Sequence, residues 1–114
     1  TFYVNGNNLG TPAPTANSTN PGDFTVQYIG RSSFGQYFPG VIDEVAIWNS
    51  DQTSNVSSIY NSGSPDDLSS LSPLHWWRMG DFEGGASSSV KDQGNATTTI
   101  DLTVNGATAS VDVP

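Results

Sequence analysis

The stretch GVIDEVAIW, residues 40–48, sets two carboxylates, Asp43 and Glu44, inside an apolar run. Odd positions give Val41, Asp43, Val45 and Ile47; even positions give Ile42, Glu44, Ala46 and Trp48. Neither set is purely polar, so the pattern predicts a strand over 41–48 covered on both faces, as in the interior of a sandwich. Successive side chains of a strand point to opposite faces. Asp43 and Glu44 then cannot address one substrate atom together, whereas glycoside hydrolysis needs two carboxyls facing each other across about 5 to 9.5 Å. The two acids read as structural, Glu44 above all.

Outward from this strand, SDQTSNVSSIYNSG predicts one short helix near 50–62. Ser50 or Asp51 can cap it, Val56, Ile59 and Tyr60 make its apolar stripe, and Gly63 can end it. Upstream, TFYVNGNNLG reads as a hairpin around Asn5-Gly6. Residues 11–23 read as a Pro-rich surface loop, FTVQYIGRS as a half-buried strand, and RSSFGQYFPG as a second loop. Downstream, 64–73 is a polar connection and LHWWRMG, residues 74–80, returns to strand. FEGGASSSVKDQGNATTT reads as a long loop, and TIDLTVNGATASVDV ends the chain with alternating Ile100, Leu102 and Val104 before an Asn105-Gly106 turn. Strands, Gly/Pro/Asn punctuation and a single helix indicate an all-β sandwich.

The chain has 114 residues, the size of one domain, and starts at Thr1, which leads us to expect a piece processed or cut from something longer, with any export signal outside it. Three basic residues, Arg31, Arg78 and Lys91, stand against eleven acidic ones, a net charge of −8. With no basic cluster, nucleic acid and anionic membrane surfaces are excluded as partners. No apolar run reaches the ~20 residues of a membrane-spanning helix. There is no cysteine, so disulfides and thiolate metal sites are excluded as well. Abundant Ser, Thr, Asn and Gly suit an extracellular or virion surface protein. Three Asn-x-Ser/Thr sequons, at Asn17, Asn55 and Asn95, carry little weight in so Ser/Thr-rich a chain.

YFPGVIDEVAIWN followed by a polar helix resembles the closing signature of laminin G-like, concanavalin A-like lectin-glucanase jelly-roll domains, and FYVNG and FTVQYIGR resemble the strands before it. The resemblance covers residues 1 to about 62 and implies an antiparallel jelly-roll β-sandwich with sugar, calcium or protein sites on its loops or concave face. Related glycosidases carry Glu-x-Asp-x-Glu or Glu-x-Asp-x-x-Glu on one strand; this chain does not, which argues against an enzyme. HWWRMGD, KDQGN and DLTVNGA resemble the opening segment of such a domain, yet here they follow the closing one. The expected organisation is one module over 1–114, truncated or permuted: closing segment 1–62, connection 63–73, opening-like strands 74–114. The wording of the tail also resembles the ends of large bacteriophage structural proteins.

The candidate carbohydrate-binding residues are Trp76, Arg78 and Tyr37, because aromatic faces stack on sugars and a guanidinium offers a hydrogen-bonding fork. Against this, alternation sets Trp77 and Met79 on the core face and Trp76 and Arg78 on the other, where a cation–π contact explains them equally well. Tyr28, Tyr37 and Phe38 fit either a sugar groove or buried packing. Trp48 reads as core or helix packing. His75, the single histidine, reads as an ordinary strand residue without zinc partners. Calcium, which the family resemblance implies, would draw on oxygens of Asp66-Asp67, Asp81 with Glu83, or Asp92 with Asn95. The function expected is a non-enzymatic structural or adhesive module of a surface or virion protein, docked on other subunits and touching glycans. The alternative is a calcium-dependent carbohydrate-binding module of a secreted enzyme.

Overall fold

The computed structural model describes residues 1–11, 28–79 and 88–108. The chain divides into two compact units, Thr1–Gly40 and Val41–Pro114. Among the described residues the strands form three two-stranded antiparallel sheets. These strand pairs, one short α-helix and three one-turn 3-10 segments are what the described residues contain, and they do not by themselves make up the jelly-roll sandwich expected from the sequence.

In the first unit, β1 (Phe2–Val4) pairs with β2 (Asn7–Gly10). Asn5 and Gly6 link them with φ of 50° and 72°. Positive φ at both central positions gives the turn a twist that matches paired strands, which is why Asn-Gly is favoured there. The hairpin agrees with the sequence reading. Residues 24–27 of the expected strand over FTVQYIGRS lie outside the described residues, as do 12–23 of the Pro-rich loop. Tyr28 and Ile29 are not in a strand. The loop 31–37 is a tight reversal: Arg31 bridges Tyr37, Ser32 N–H donates to the Gln36 carbonyl at 2.9 Å, and Phe38 N–H reaches the Gly30 carbonyl at 2.8 Å.

In the second unit, β3 covers only Val45–Ile47 and pairs with β4 (His75–Trp77), Ala46 opposite Trp76. The strand expected from residue 41 starts late because Glu44 takes a left-handed φ of 49°. An extended ladder cannot pass through that conformation. The helix is also shorter than expected: α1 spans Val56–Tyr60, with one-turn 3-10 segments at Thr53–Asn55 and Asn61–Gly63. Asp51 starts it by accepting the Thr53 N–H at 2.8 Å. Val56 and Ile59 are half-buried and Tyr60 is exposed, so the apolar stripe is narrower than its spacing suggested. The stop is left-handed backbone from Asn61 through Gly63.

β4 is the centre of this unit. β3 flanks it on one edge, and on the other the segment 92–96 runs alongside. There Gln93 N–H donates to the Trp76 carbonyl (2.8 Å), Asn95 N–H to Pro73 (2.9 Å) and Ala96 N–H to Leu74 (3.0 Å). The stretch expected as one long loop contains β5 (Ser89–Val90), paired with β6 (Leu102–Thr103). Small side chains hid a strand whose pairing depends on partners distant in sequence. Among the described residues Leu68, Trp76, Trp77 and Val90 form the buried core, joined by one acid, Asp92.

Candidate functional site

Asp43 and Glu44 precede β3, so strand alternation does not govern them. Glu44 is nevertheless tied into the fold. Its two carboxylate oxygens are each taken: Oε2 accepts the Trp76 indole N–H at 2.7 Å and Oε1 the Arg78 Nε–H at 2.8 Å. The Arg78 guanidinium lies 5.1 Å from the centre of the Trp76 ring, the cation–π contact that alternation allowed. These charge-assisted bonds offset the cost of about 1 kcal/mol or more of holding a non-glycine residue in left-handed backbone. Asp43 accepts the Glu44 N–H at 2.9 Å. Both acids border a shallow depression of about 190 Å³ with Ile59, Tyr60 and Pro65. Glu44→Gln would put an amide N–H against a donor, so a loss of about 1–3 kcal/mol is expected, measurable by urea unfolding followed by tryptophan fluorescence.

Of the three candidate sugar-contacting residues, Trp76 is 3% exposed, with its N–H committed to Glu44. Arg78 is partly buried beside it. Tyr37 belongs to the first unit and is 66% exposed. The structure thus brings Trp76 and Arg78 together inside a network and leaves Tyr37 in a different setting. Trp77 is core, its N–H bound to the Ile100 carbonyl at 2.7 Å. Trp48 is half-buried and donates to the Leu71 carbonyl at 3.0 Å.

His75 is more than an ordinary strand residue. Its ring stacks on Trp77 at 5.6 Å between centroids, and Nδ1 lies 2.6 Å from Asp92 Oδ2. A carboxylate only accepts, so Nδ1 carries the proton. Asp92 also accepts N–H groups of Trp76 (3.0 Å), Gly94 (2.9 Å) and Ile100 (2.9 Å). Two donors therefore fill each oxygen. Burial pushes this carboxyl up, but the bonds from His75 and the three backbone N–H groups outweigh it and hold it down at about 2. An acid so saturated has no lone pair left for calcium. Asp66 and Asp67 accept the N–H groups of Asp67 and Ser69, while Asp81 and Glu83 lie outside the described residues. Among the described residues no group of three or more His, Asp or Glu is placed to hold a metal ion.

The first unit presents a different chemistry. The Arg31 guanidinium sits 4.6 Å from the Tyr28 ring centre and 5.7 Å from that of Tyr37. Phe34 and Phe38 stand exposed nearby in sequence, Phe34 at 87%. Arg78 pairs with Glu44 and Lys91 with Asp101. Arg31 has no carboxylate partner among the described residues. Sequence reasoning passed over Arg31. The signal was there, in one of only three cations placed within the aromatic run YIGRSSFGQYF.

A laminin G-type family model, described as the concanavalin A-like lectin/glucanases superfamily, matches residues 1–56. The comparisons with curated proteins and with solved structures returned no match. The match supports the superfamily for residues 1–56, just under half of the chain, and points to a β-sandwich. It takes in the whole first unit, β3 and Glu44, and stops before β4 and the Asp92 loop. A domain of this class is compatible with carbohydrate binding or adhesion.

Proposed function

We propose that this chain is a non-enzymatic adhesive module of a surface protein that contacts glycans through its first unit. The carrying observation is the pair of exposed tyrosines, Tyr28 and Tyr37, about the half-buried Arg31, inside the segment that matches the lectin superfamily. Carbohydrate sites need flat apolar faces beside fixed polar groups, and this cluster offers both. The tryptophans of β4 serve packing in this reading, because their N–H groups are spent internally. Both Glu44 oxygens are likewise engaged, which supports a structural acid over a hydrolytic one.

In the same reading β4 extends the sheet begun by the closing signature, in permuted order; the β3–β4 pairing supports this. Other subunits of a surface assembly, cellular or virion, would be its protein partners. Exposed Val41, Ile47 and Ile100 support such docking. The test is a glycan array probed with the full chain, with and without a chelator. Binding that survives chelation, with no cleavage of the glycans, is expected. A silent array overturns the glycan reading, and binding abolished by chelator favours the calcium-dependent alternative.

A further inference from the structure

We propose that Tyr28, Arg31 and Tyr37 form a site for a sugar carrying a single carboxylate, such as a uronate. The inference rests on the glycan-binding reading above and names its ligand class. Arg31 donates through Nε to the adjacent Ser32 carbonyl at 3.4 Å, and its Nη groups make no hydrogen bond among the described residues. Its place over two tyrosine rings fixes the guanidinium before a ligand arrives, which reduces the ordering cost of binding. A guanidinium held this way matches the fork of a carboxylate. The exposed Tyr37 and Phe38 rings supply apolar faces for the C–H side of a pyranose. A neutral sugar would use the rings and leave the cation idle.

Charge sets the upper limit on the ligand. The chain carries −8, and its other two cations are already paired. At physiological salt an unpaired cation acts over about 8 Å. One carboxylate at Arg31 falls within that range, whereas a long sulfated polymer would lie against an acidic protein with no further cation to meet it. The lectin-superfamily match over residues 1–56 favours a sugar over an acidic peptide as the carboxylate's carrier.

The test is an NMR titration of the full ¹⁵N-labelled chain with methyl glucuronide, methyl glucoside and N-acetylglutamate amide. The glucuronide should shift Arg31 Nε–H and the amides of residues 30–38, with a Kd of order 1 mM, about tenfold below that of the glucoside. Arg31→Gln should erase that preference, and Arg31→Lys should restore part of it. Tyr37→Leu should weaken both sugars. Equal binding of the two sugars, unchanged by Arg31→Gln, overturns the carboxylate assignment and leaves the glycan reading standing. Glutamate amide binding as well as the glucuronide overturns the sugar assignment. If neither sugar shifts residues 28–38 while the array is positive, this site is wrong; if the array is silent too, both readings fail.

Discussion

Gly94→Ala is expected to cost the second unit about 3 kcal/mol or more, enough to leave a marginal sheet largely unfolded. A Cβ at this position would stand 2.3 Å from the Leu74 carbonyl oxygen, 2.5 Å from His75 Cα and 2.6 Å from the Leu74 carbonyl carbon. All three are backbone atoms of the segment leading into β4, so no side chain can rotate away. That backbone is held from the other edge, where Leu74 N–H donates to the Ile47 carbonyl at 2.8 Å. Relief would have to open the contacts through which 92–96 reaches Pro73, Leu74 and Trp76. Gly106→Ala makes the informative comparison. Gly106 has φ of +76° but nothing within 4 Å of an added Cβ, so only backbone strain of about 1 kcal/mol is expected. All three tryptophans, Trp48, Trp76 and Trp77, lie in the second unit, so their fluorescence reports its urea unfolding alone. A Gly94→Ala midpoint close to that of Gly106→Ala would show that the close approach is not a constraint.

The Asn5-Gly6 hairpin, the start of the helix near Asp51 and the strand at His75–Trp77 were all legible in the sequence, because each depends on local chemistry: a positive-φ turn, a side-chain acceptor for a free N–H, and a run of β-favouring residues. The sequence reads Glu44 as a structural acid from alternation, while its contacts in the fold arise by another route. Alternation along a continuous strand points to a structural acid, whereas Glu44 sits in a left-handed kink and is held by Trp76 and Arg78, more than thirty residues away. No local pattern encodes that contact. β5 was missed for a related reason: Ser89 has weak strand preference, and the pair forms because Thr103 and Leu102 lie opposite. His75 looked ordinary because its partner comes from a turn 17 residues on. The same turn offered oxygens, from Asp92 and Asn95, that suited calcium by type, and only the geometry showed that N–H donors already occupy Asp92. Tyr37 was found as an aromatic in a loop; Arg31, which gives it company, was not.

Asp92→Asn should be strongly damaging although it is isosteric. The carboxylate gathers four donors, from His75, Trp76, Gly94 and Ile100, and its side chain is fully buried. An amide of the same shape keeps one oxygen and turns an NH₂ group towards two N–H groups, leaving buried donors unsatisfied. A loss of about 3 kcal/mol or more is expected. The acid limb of wild-type stability tests the same group by another variable. With its folded value held at about 2 against an ordinary 3.8, Asp92 contributes stability that is present above pH 4. That contribution is lost as pH falls from about 4 through about 2, and amounts to about 2 kcal/mol. Asp51, Asp67 and Asp101 are also lowered, each by hydrogen bonds, with Thr53, Ser69 and Lys91 respectively as the leading partner, so the wild-type slope is a sum. The difference between wild type and Asp92→Asn isolates the buried term. Urea midpoints at several pH values from 2 to 6 should converge as the pH drops, because protonation takes from the wild type what the substitution has already removed. Parallel curves would mean that the proton goes elsewhere and that Asp92 does not set the acid stability of the β4 sheet.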